Sequence, residues 1–322
     1  MGIFRRQQRS CDSAGAGRTA SGAAPPVPVR VDESDLRTTL EVLPPEMREP
    51  LWTGRRACIR FATRTAAGAA SSRGSRLGGD ALLPVGAEWP AWRGPTGDGP
   101  PRPLTHWAHI DLTQIAGHLD LDLPADGSLL LFADFDHDGL GEGIMGLHQD
   151  ELLGARVLHV PAAQRVELVT SPSGVQPLPS ADLLPLLSVT WPDLGADLTD
   201  DEYGAFDDAD QALEGLLRRS APEGWSVGGR HQLGGHARFI QHPVEQEVVQ
   251  AAHDVSSRSG GFDHQRWQQV RDEASRWRLL LQVDSDDALD LMLGDVGTVY
   301  WAAPAQDVAT RDFTAARFNF QC

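Results

Sequence analysis

The spacing of hydrophobic and polar residues predicts a mixture of strands and helices along this chain. Residues 55 to 64 alternate apolar and arginine positions, which is the rhythm of a half-buried strand. Residues 199 to 218 repeat apolar positions with a helical period, and this helix should begin at Thr199 or Asp200. Further helices are predicted at residues 33 to 42, from 111, at 244 to 254 and at 262 to 277, and further strands near residues 128 to 135, 155 to 160, 165 to 170, 278 to 284, 297 to 302 and 315 to 321.

Proline and glycine interrupt these patterns in two places. Pro44 and Pro45 are expected to stop the first helix, because proline cannot continue one. The segment from 84 to 103 is rich in both residues, so we expect an irregular loop that is anchored by buried indoles. The tryptophans expected to be mostly buried are Trp89, Trp107, Trp191, Trp277 and Trp301.

Three short motifs occur twice, in the same order. They are a double-glycine motif (LGGDA, then LGGHA), a strand that ends in a branched residue and an aspartate, and a glycine that begins another strand. The paired positions are Leu77 and Leu233, Ile110 and Val283, and Gly127 and Gly297, at offsets of 156, 173 and 170 residues. Offsets that differ only by loop-sized amounts indicate a duplicated unit. We therefore expect two similar units, at about 55 to 170 and 225 to 322, in one body.

Together these patterns predict an α+β fold, with mixed or antiparallel sheets, flanking helices and internal duplication. The domain should span residues 33 to 322. Residues 1 to 32 are rich in glycine, serine, alanine and proline and are expected to form a disordered tail that is not a secretory signal. No apolar run approaches the roughly 20 residues that span a bilayer.

Charge and cysteine content exclude several function classes. The net charge of −17 argues against nucleic acid and anionic membranes as partners. No lysine occurs, which excludes a Schiff-base lysine and a GK[ST] phosphate loop. The three cysteines have no CxxC spacing, so we expect a reduced, cytoplasmic protein without a zinc site or a disulfide framework.

Several segments together resemble the YwqG-like family of bacterial proteins, which is catalogued chiefly as a domain of unknown function. They include SRLGGDALLP at 75 to 84, HQLGGHARFIQHP at 231 to 243 and LGDVGTVYW at 293 to 301. Ala81 and His109 depart from the residues that are common in that family. The resemblance implies a cytosolic α+β fold with internal duplication. It also implies occasional association with bacterial toxin systems, in which members are thought to act as immunity proteins, and it implies no catalytic residues.

One acidic segment has the spacing of a calcium-binding loop. Asp134, Asp136 and Asp138 alternate before a glycine, and Glu142 would occupy the ninth position. The twelfth position, which should be a bidentate glutamate, is Met145. An acidic turn at a strand end explains the same residues and is the favoured interpretation, because aspartate and glycine suit turn geometry.

Histidines and double glycines are weaker candidates. His106 and His109 lie three residues apart, and that spacing on a strand should place them on opposite faces. The second half carries His231, His236 and His242, but chance placement is favoured over a shared metal site. The double glycines lead into extended segments that contain proline, so left-handed backbone or close packing is favoured over a phosphate cradle.

An acidic run from 193 to 210 contains eight carboxylates and no arginine. Such a run is usually a solvated face, and the alternative is a surface that binds a basic protein. The candidate partner-binding residues are Asp200, Asp201, Asp207 and Asp208.

Three function classes remain. The favoured one is a non-enzymatic protein that binds a basic partner, with toxin immunity as one form of that role. The second is a calcium- or small-ligand-binding module, in which calcium would be the only cofactor. The third is an unrecognised hydrolase or transferase between the two units, where four polar residues would converge: His109, Asp111, Gln282 and Asp284.

Overall fold

A computed structural model describes residues 26–66, 74–94, 98–134, 154–193, 198–253 and 264–322. The strands are β1 (Val29–Arg30), β2 (Arg56–Thr65), β3 (Ser75–Leu77), β4 (Ala81–Pro84), β5 (Ala91–Trp92), β6 (Arg102–Pro103), β7 (Thr105–Asp111), β8 (Ser128–Ala133), β9 (Ala155–Val160), β10 (Val166–Val169), β11 (Ala181–Thr190), β12 (Gln232–Gly234), β13 (Trp277–Asp284), β14 (Thr298–Pro304) and β15 (Arg317–Gln321). The helices are α1 (Glu33–Thr38), α2 (Pro45–Gly54), α3 (Asp200–Ser220), α4 (Val244–Ala252), α5 (His264–Ala274) and α6 (Ala305–Ala309). Within these ranges no helix has both the length and the apolar character needed to cross a membrane.

One large sheet of eleven strands dominates the fold and is nearly barrel-shaped, so the α+β class is confirmed. Its order is β15-β14-β13-β12-β2-β11-β3-β7-β8-β9, all pairs antiparallel, with short β1 added in parallel to β11. The two central strands, β2 and β11, pair along their whole length. On each side of this central pair lies a wing of four strands, β3-β7-β8-β9 on one side and β12-β13-β14-β15 on the other.

The inner faces of the two wings share one hydrophobic core. Trp107 of β7 packs against Trp301 of β14 with 5.5 Å between ring centroids, and Trp301 packs against Phe318 of β15 at 4.8 Å. Both indoles are fully buried. Because these residues come from opposite wings, the sheet must curl until its two ends face each other.

Three separate clusters cover the outer face of the sheet. Helices α1, α2 and α3 pack on the central strands, and α4 and α5 pack on β13 and β14. The third cluster covers β8 with the β4/β10 pair and the segment before β7, where Trp89 Nε1 donates a hydrogen bond to the Leu104 carbonyl. That segment is mostly irregular, as predicted, but it includes the short β5/β6 hairpin. Of the five tryptophans expected inside, four are buried and Trp89 is partly buried.

Proline positions account for two departures from the predicted elements. The first helical segment ends at Val42, before Pro44 and Pro45, as predicted, but Pro45 also begins the unpredicted helix α2, because the first helical position needs no N–H donor. Strand β11 was not predicted, and it contains Pro185 in its interior. On the edge away from β2, β3 pairs with residues 181–183 and β1 with 186–187, so Pro185 falls where no partner requires its missing N–H.

The predicted tail boundary at residue 32 also needs correction. Strand β1 lies inside the range assigned to the tail, and Val31 is buried. Burial of this apolar residue against β11 and α1 gives the segment a place in the fold that its glycine- and proline-rich neighbours did not suggest. Residues 1–25 lie outside the described ranges.

The repeated motifs take matching positions in the two wings. β3 and β12, which carry the double-glycine motifs, each lie between a central strand and the next strand of their wing. All four motif glycines have left-handed backbone, at φ of 56° and 69° for Gly78 and Gly79 and of 66° and 76° for Gly234 and Gly235. The following strands carry an irregularity in the same place, at Trp107 in β7 and at Leu280 in β13.

Replacing Trp301 by alanine should cost about 3–5 kcal/mol of unfolding free energy, because a fully buried indole between the wings would leave a cavity. Urea denaturation of Trp301→Ala measures this loss. Tyr203→Ala is the control: Tyr203 is 58% exposed, so its removal should change stability by no more than about 0.5 kcal/mol. A loss below about 1 kcal/mol for Trp301→Ala would contradict the shared core.

Candidate functional site

His109 and Asp111 sit together on β7 and are held by their own wing. His109 Nε2 and Ser128 Oγ lie 2.8 Å apart. Asp111 accepts hydrogen bonds from the backbone N–H groups of Gly74 and Thr113, at 2.8 and 3.1 Å, and from the Thr113 hydroxyl. Its backbone N–H donates to Ser75 Oγ at 3.0 Å. Asp111 therefore holds both the residue before β3 and the turn after β7 in place.

Asp284 occupies the corresponding place in the other wing. It accepts from the backbone N–H of Arg230 at 3.1 Å, and its own N–H donates to His231 Nδ1 at 3.2 Å. Thr298 Oγ1 donates to its other carboxylate oxygen at 2.6 Å. Gln282 accepts from the Arg238 N–H and donates to the Arg230 carbonyl. These side chains also hold loops to a strand.

The structure does not bring the four residues together, so the predicted convergence between the two units needs correction. Strands β7 and β13 are separated in the sheet by four other strands. The wings meet through the inner residues of these strands, such as Ile110 and Val283, whereas the intervening polar side chains alternate to the outer face. Among the described residues, no hydrogen bond links His109 or Asp111 to Gln282 or Asp284. Each pair is bound within its own wing.

The two histidines of β7 share the outer face, contrary to the expectation from their spacing. The irregularity at Trp107 inserts one extra residue, which reverses the alternation between His106 and His109. His106 Nδ1 donates to the Gly79 carbonyl at 3.2 Å, and its ring packs 5.1 Å from that of Phe132. Burial lowers the pKa of each histidine to about 4. Both rings are therefore neutral at pH 7.

A buried histidine and aspartate in the second wing form a pair that the sequence pattern did not reveal. His231 Nε2 donates to Asp286 Oδ2 at 3.1 Å, and both side chains are almost completely buried. Burial alone would raise the pKa of Asp286, but hydrogen bonds from His231 and from backbone N–H groups outweigh it and lower that pKa. Because Nδ1 already accepts from Asp284, His231 has no free nitrogen for proton transfer. The pair is structural.

The predicted metal sites are only partly within the described ranges. Asp134 directly follows β8 and accepts a hydrogen bond from Arg102 Nη2 at 3.2 Å. Asp136, Asp138 and Glu142 lie outside the described residues, so the calcium loop stays a prediction. In the described part of the chain, no group of three or more histidine, cysteine or acidic side chains could hold a metal ion.

Three acidic residues of α3 form ion pairs with arginines of other elements. Glu214 forms a two-pronged ion pair with buried Arg60 of β2, at 2.6 and 3.1 Å. Asp210 lies 2.7 Å from Arg230 Nη1. Burial opposes the negative charge of Glu214, but Arg60 outweighs that effect and holds the pKa of the carboxyl below its usual value. These ion pairs hold α3 against β2 and against the segment that leads into the second double-glycine motif.

Asp207 belongs to the same network, so it is not a free partner-binding residue. Arg238 Nη2 donates to Asp207 Oδ1 at 2.9 Å, and Arg238 follows the second double-glycine motif. The sequence pattern does not predict this contact, because the two residues are separated by 31 positions. Charge alone does not distinguish carboxylates that face the protein from those that face the solvent.

The remaining acids form what we call the acidic face of α3: Asp200, Asp201 and Asp208. All three are exposed, and spacings of seven and eight residues place Asp208 on the same side of the helix as the other two. Tyr203, which follows Asp200 by one helical turn, is 58% exposed. Thr199 begins the helix with a capping box, in which its N–H donates to Glu202 at 2.8 Å. The face is therefore presented by a well-defined helix terminus.

Comparison with known proteins gives a family without an activity. One family model, described as Domain of unknown function (DUF1963), matches residues 75–322. No curated protein matches the chain.

Stability should fall between about pH 6.5 and pH 4, because unfolding lets His106 and His109 bind protons that the folded state excludes. The folded pKa is depressed, so the stabilising contribution is complete above the unfolded value and disappears as the pH falls towards 4. His106→Asn keeps a donor near the Gly79 carbonyl and should lose less stability over this interval. Urea denaturation across the pH series measures the difference. His242→Asn is the control, because His242 is exposed. If His106→Asn and His242→Asn show the same pH dependence of the unfolding free energy, the prediction is wrong.

Replacing one partner of the Arg60 and Glu214 ion pair should lower the free energy of unfolding by about 3–5 kcal/mol, because a buried charge is left without its partner. Arg60→Met and Glu214→Gln are the single variants. The double variant should lose clearly less than the sum of the two, as measured by urea denaturation. Strict additivity would show that the two side chains do not depend on each other.

Proposed function

Because the chain belongs to the family described as domain of unknown function DUF1963, we propose its role from the molecule itself: a non-enzymatic protein that binds a basic protein partner. The observation that carries this proposal is the acidic face of α3. Three carboxylates remain exposed there although neighbouring acids of the same helix are paired with arginines. A solvated helix face needs no exposed tyrosine, whereas tyrosine is enriched at binding hot spots.

The internal arginine network supports this reading of the helix. It neutralises Asp207, Asp210 and Glu214 and fixes α3 against the sheet. A partner would therefore meet a helix that is already positioned, so little order would have to be gained on binding. Complementary charge would mainly accelerate association with a basic surface.

The buried polar clusters of β7 and β13 support binding rather than catalysis. Asp111 and Asp284 hold loops, and His231 has both ring nitrogens bonded. The resemblance to the YwqG-like family is compatible with the same role, since members of that family are thought to act as immunity proteins. Toxin immunity is the specific form of partner binding that we favour.

We also propose that the two wings arose by duplication of one unit. Supporting observations are the matching strand order, the four left-handed motif glycines and the shared irregularity at Trp107 and Leu280. The aspartates Asp111 and Asp284 make the same type of bond to the residue before β3 or close before β12. A common ancestor explains these coincidences together.

Neutralising the acidic face should slow association with the partner. The variant is Asp200→Asn, Asp201→Asn and Asp208→Asn, which spares Asp207 because its loss would free Arg238. A basic protein captured from the native host should bind the unmodified chain with an on-rate that falls steeply with salt, since charges are screened over about 8 Å at physiological ionic strength. The variant should bind more slowly at low salt, as measured by surface plasmon resonance.

A control variant separates the face from net charge. Glu41→Gln, Asp122→Asn and Asp295→Asn remove the same charge from exposed positions outside α3. The control should keep most of the on-rate. If the variant and the unmodified chain associate equally fast at low salt, the acidic face is only a solvated surface.

A further inference from the structure

Two arginines meet at the second double-glycine motif. Arg56 begins β2 and Arg278 lies at the start of β13, with the end of β12 between them. Both line one small depression together with Gly234 and Gly235.

Neither arginine is neutralised by an ion pair with a described residue. Arg278 Nη1 donates to the backbone carbonyls of Ser275 and Trp277, which are neutral acceptors. Arg56 is half-buried, and burial together with the charge of Arg278 lowers its pKa. Two neighbouring cations of this kind are unusual in a protein of net charge −17 and favour a bound anion.

Two nearby carboxylates, Asp120 and Glu245, offset part of this positive charge, since both raise the pKa of Arg56. Asp120 lines the depression, but one of its oxygens accepts from the Ala57 N–H at 2.9 Å. Glu245 is half-buried, and burial raises its pKa although the charges of Arg56 and Arg278 lower it. His236 donates to the Gly54 carbonyl, and burial lowers its pKa to about 4, so it adds no positive charge at pH 7.

The first double-glycine motif cannot form the same site. A side chain at Gly78 would meet the backbone carbonyls of Leu178 and Pro179, so chain from outside the motif covers this turn. At Gly234 and Gly235 the nearest atoms belong to side chains instead. Among the described residues, the arginine-lined depression adjoins the second motif.

A wider cleft of about 380 Å³ adjoins the depression, since Ala57 lines both. Its volume falls in the range of small-molecule sites. Trp52 forms part of the wall, and the Arg55 guanidinium lies 3.9 Å from the centroid of its ring. Arg30 Nη2 lies 3.4 Å from His118 Nδ1 on another side, and exposed Asp32 and Glu33 stand at the rim.

We propose that this cleft binds a small molecule with an oxyanion head and an aromatic body. The depression has room for about 10 Å³, close to one water-sized group, so it admits only the tip of a ligand. A carboxylate or phosphate oxygen fits between Arg56 and Arg278, whose planar groups bind such oxygens in pairs. The body extends past Ala57 into the cleft walled by Trp52. This site is distinct from the acidic face of α3.

Four probes test the proposal by isothermal titration calorimetry: benzoate and phenyl phosphate, with acetate and inorganic phosphate as head-only counterparts. At least one aromatic probe should bind with a Kd of about 1 mM or tighter, and at least about tenfold more tightly than its head-only counterpart. The relative affinity of the two aromatic probes identifies carboxylate or phosphate as the head. Amide signals of Gly234 and Gly235 should shift during the titration.

Arg56→Gln should weaken binding by at least about tenfold, and Arg278→Gln provides a second variant if the first unfolds. Arg165→Gln is the matched control, since Arg165 is exposed and outside the cleft, and it should bind like the unmodified chain. Absence of binding by all four probes at about 10 mM would overturn the site. So would unchanged affinity in both folded arginine variants, and equal affinity of each aromatic probe and its counterpart would overturn the role of the wider cleft.

Discussion

The packing of Trp107 against Trp301 and Phe318 is the interaction on which the rest of the structure depends. It joins residues from two wings that are far apart along the sheet, and it requires the sheet to curl around a common core. Once the inner residues face each other, the alternation of strands directs the polar residues of β7 and β13 outwards. The outer face must then be covered, and three different sets of elements cover it. The two wings are thus alike inside and different outside.

This difference between the wings explains where function can reside. The first wing covers its double-glycine turn with the backbone near Pro179, and it covers β8 with an irregular segment. Next to the second double-glycine motif, Arg230 and Arg238 reach α3, and Arg56 of central strand β2 lies close to Arg278 of the second wing. Positive charge is therefore gathered around the second motif. It neutralises the inner side of α3 and leaves the outer side acidic.

Much of the fold could be predicted from local patterns, as the strand at β2 and the capped helix α3 show. Where the structure departs from the predicted elements, the cause is the pairing of neighbouring strands or an extra residue in a strand. Pro185 is tolerated in β11 only because β3 and β1 pair on either side of it, and the extra residue at Trp107 reverses the face of His106. The candidate sites were harder to predict. Which carboxylates of α3 are free depends on arginines that lie far away in the sequence, and Arg56 and Arg278 are brought together only by the strand order.

Hydrogen exchange of Trp301→Ala tests the central claim that one core unites the two wings. Protection of the amides in β7 and β8 should fall by as much as protection in β13 and β14, because removal of the indole weakens the contact that both wings share. The backbone pairing within each wing is unchanged by this substitution. Loss of protection confined to β13, β14 and β15 would show that the wings are stabilised separately and would contradict the account.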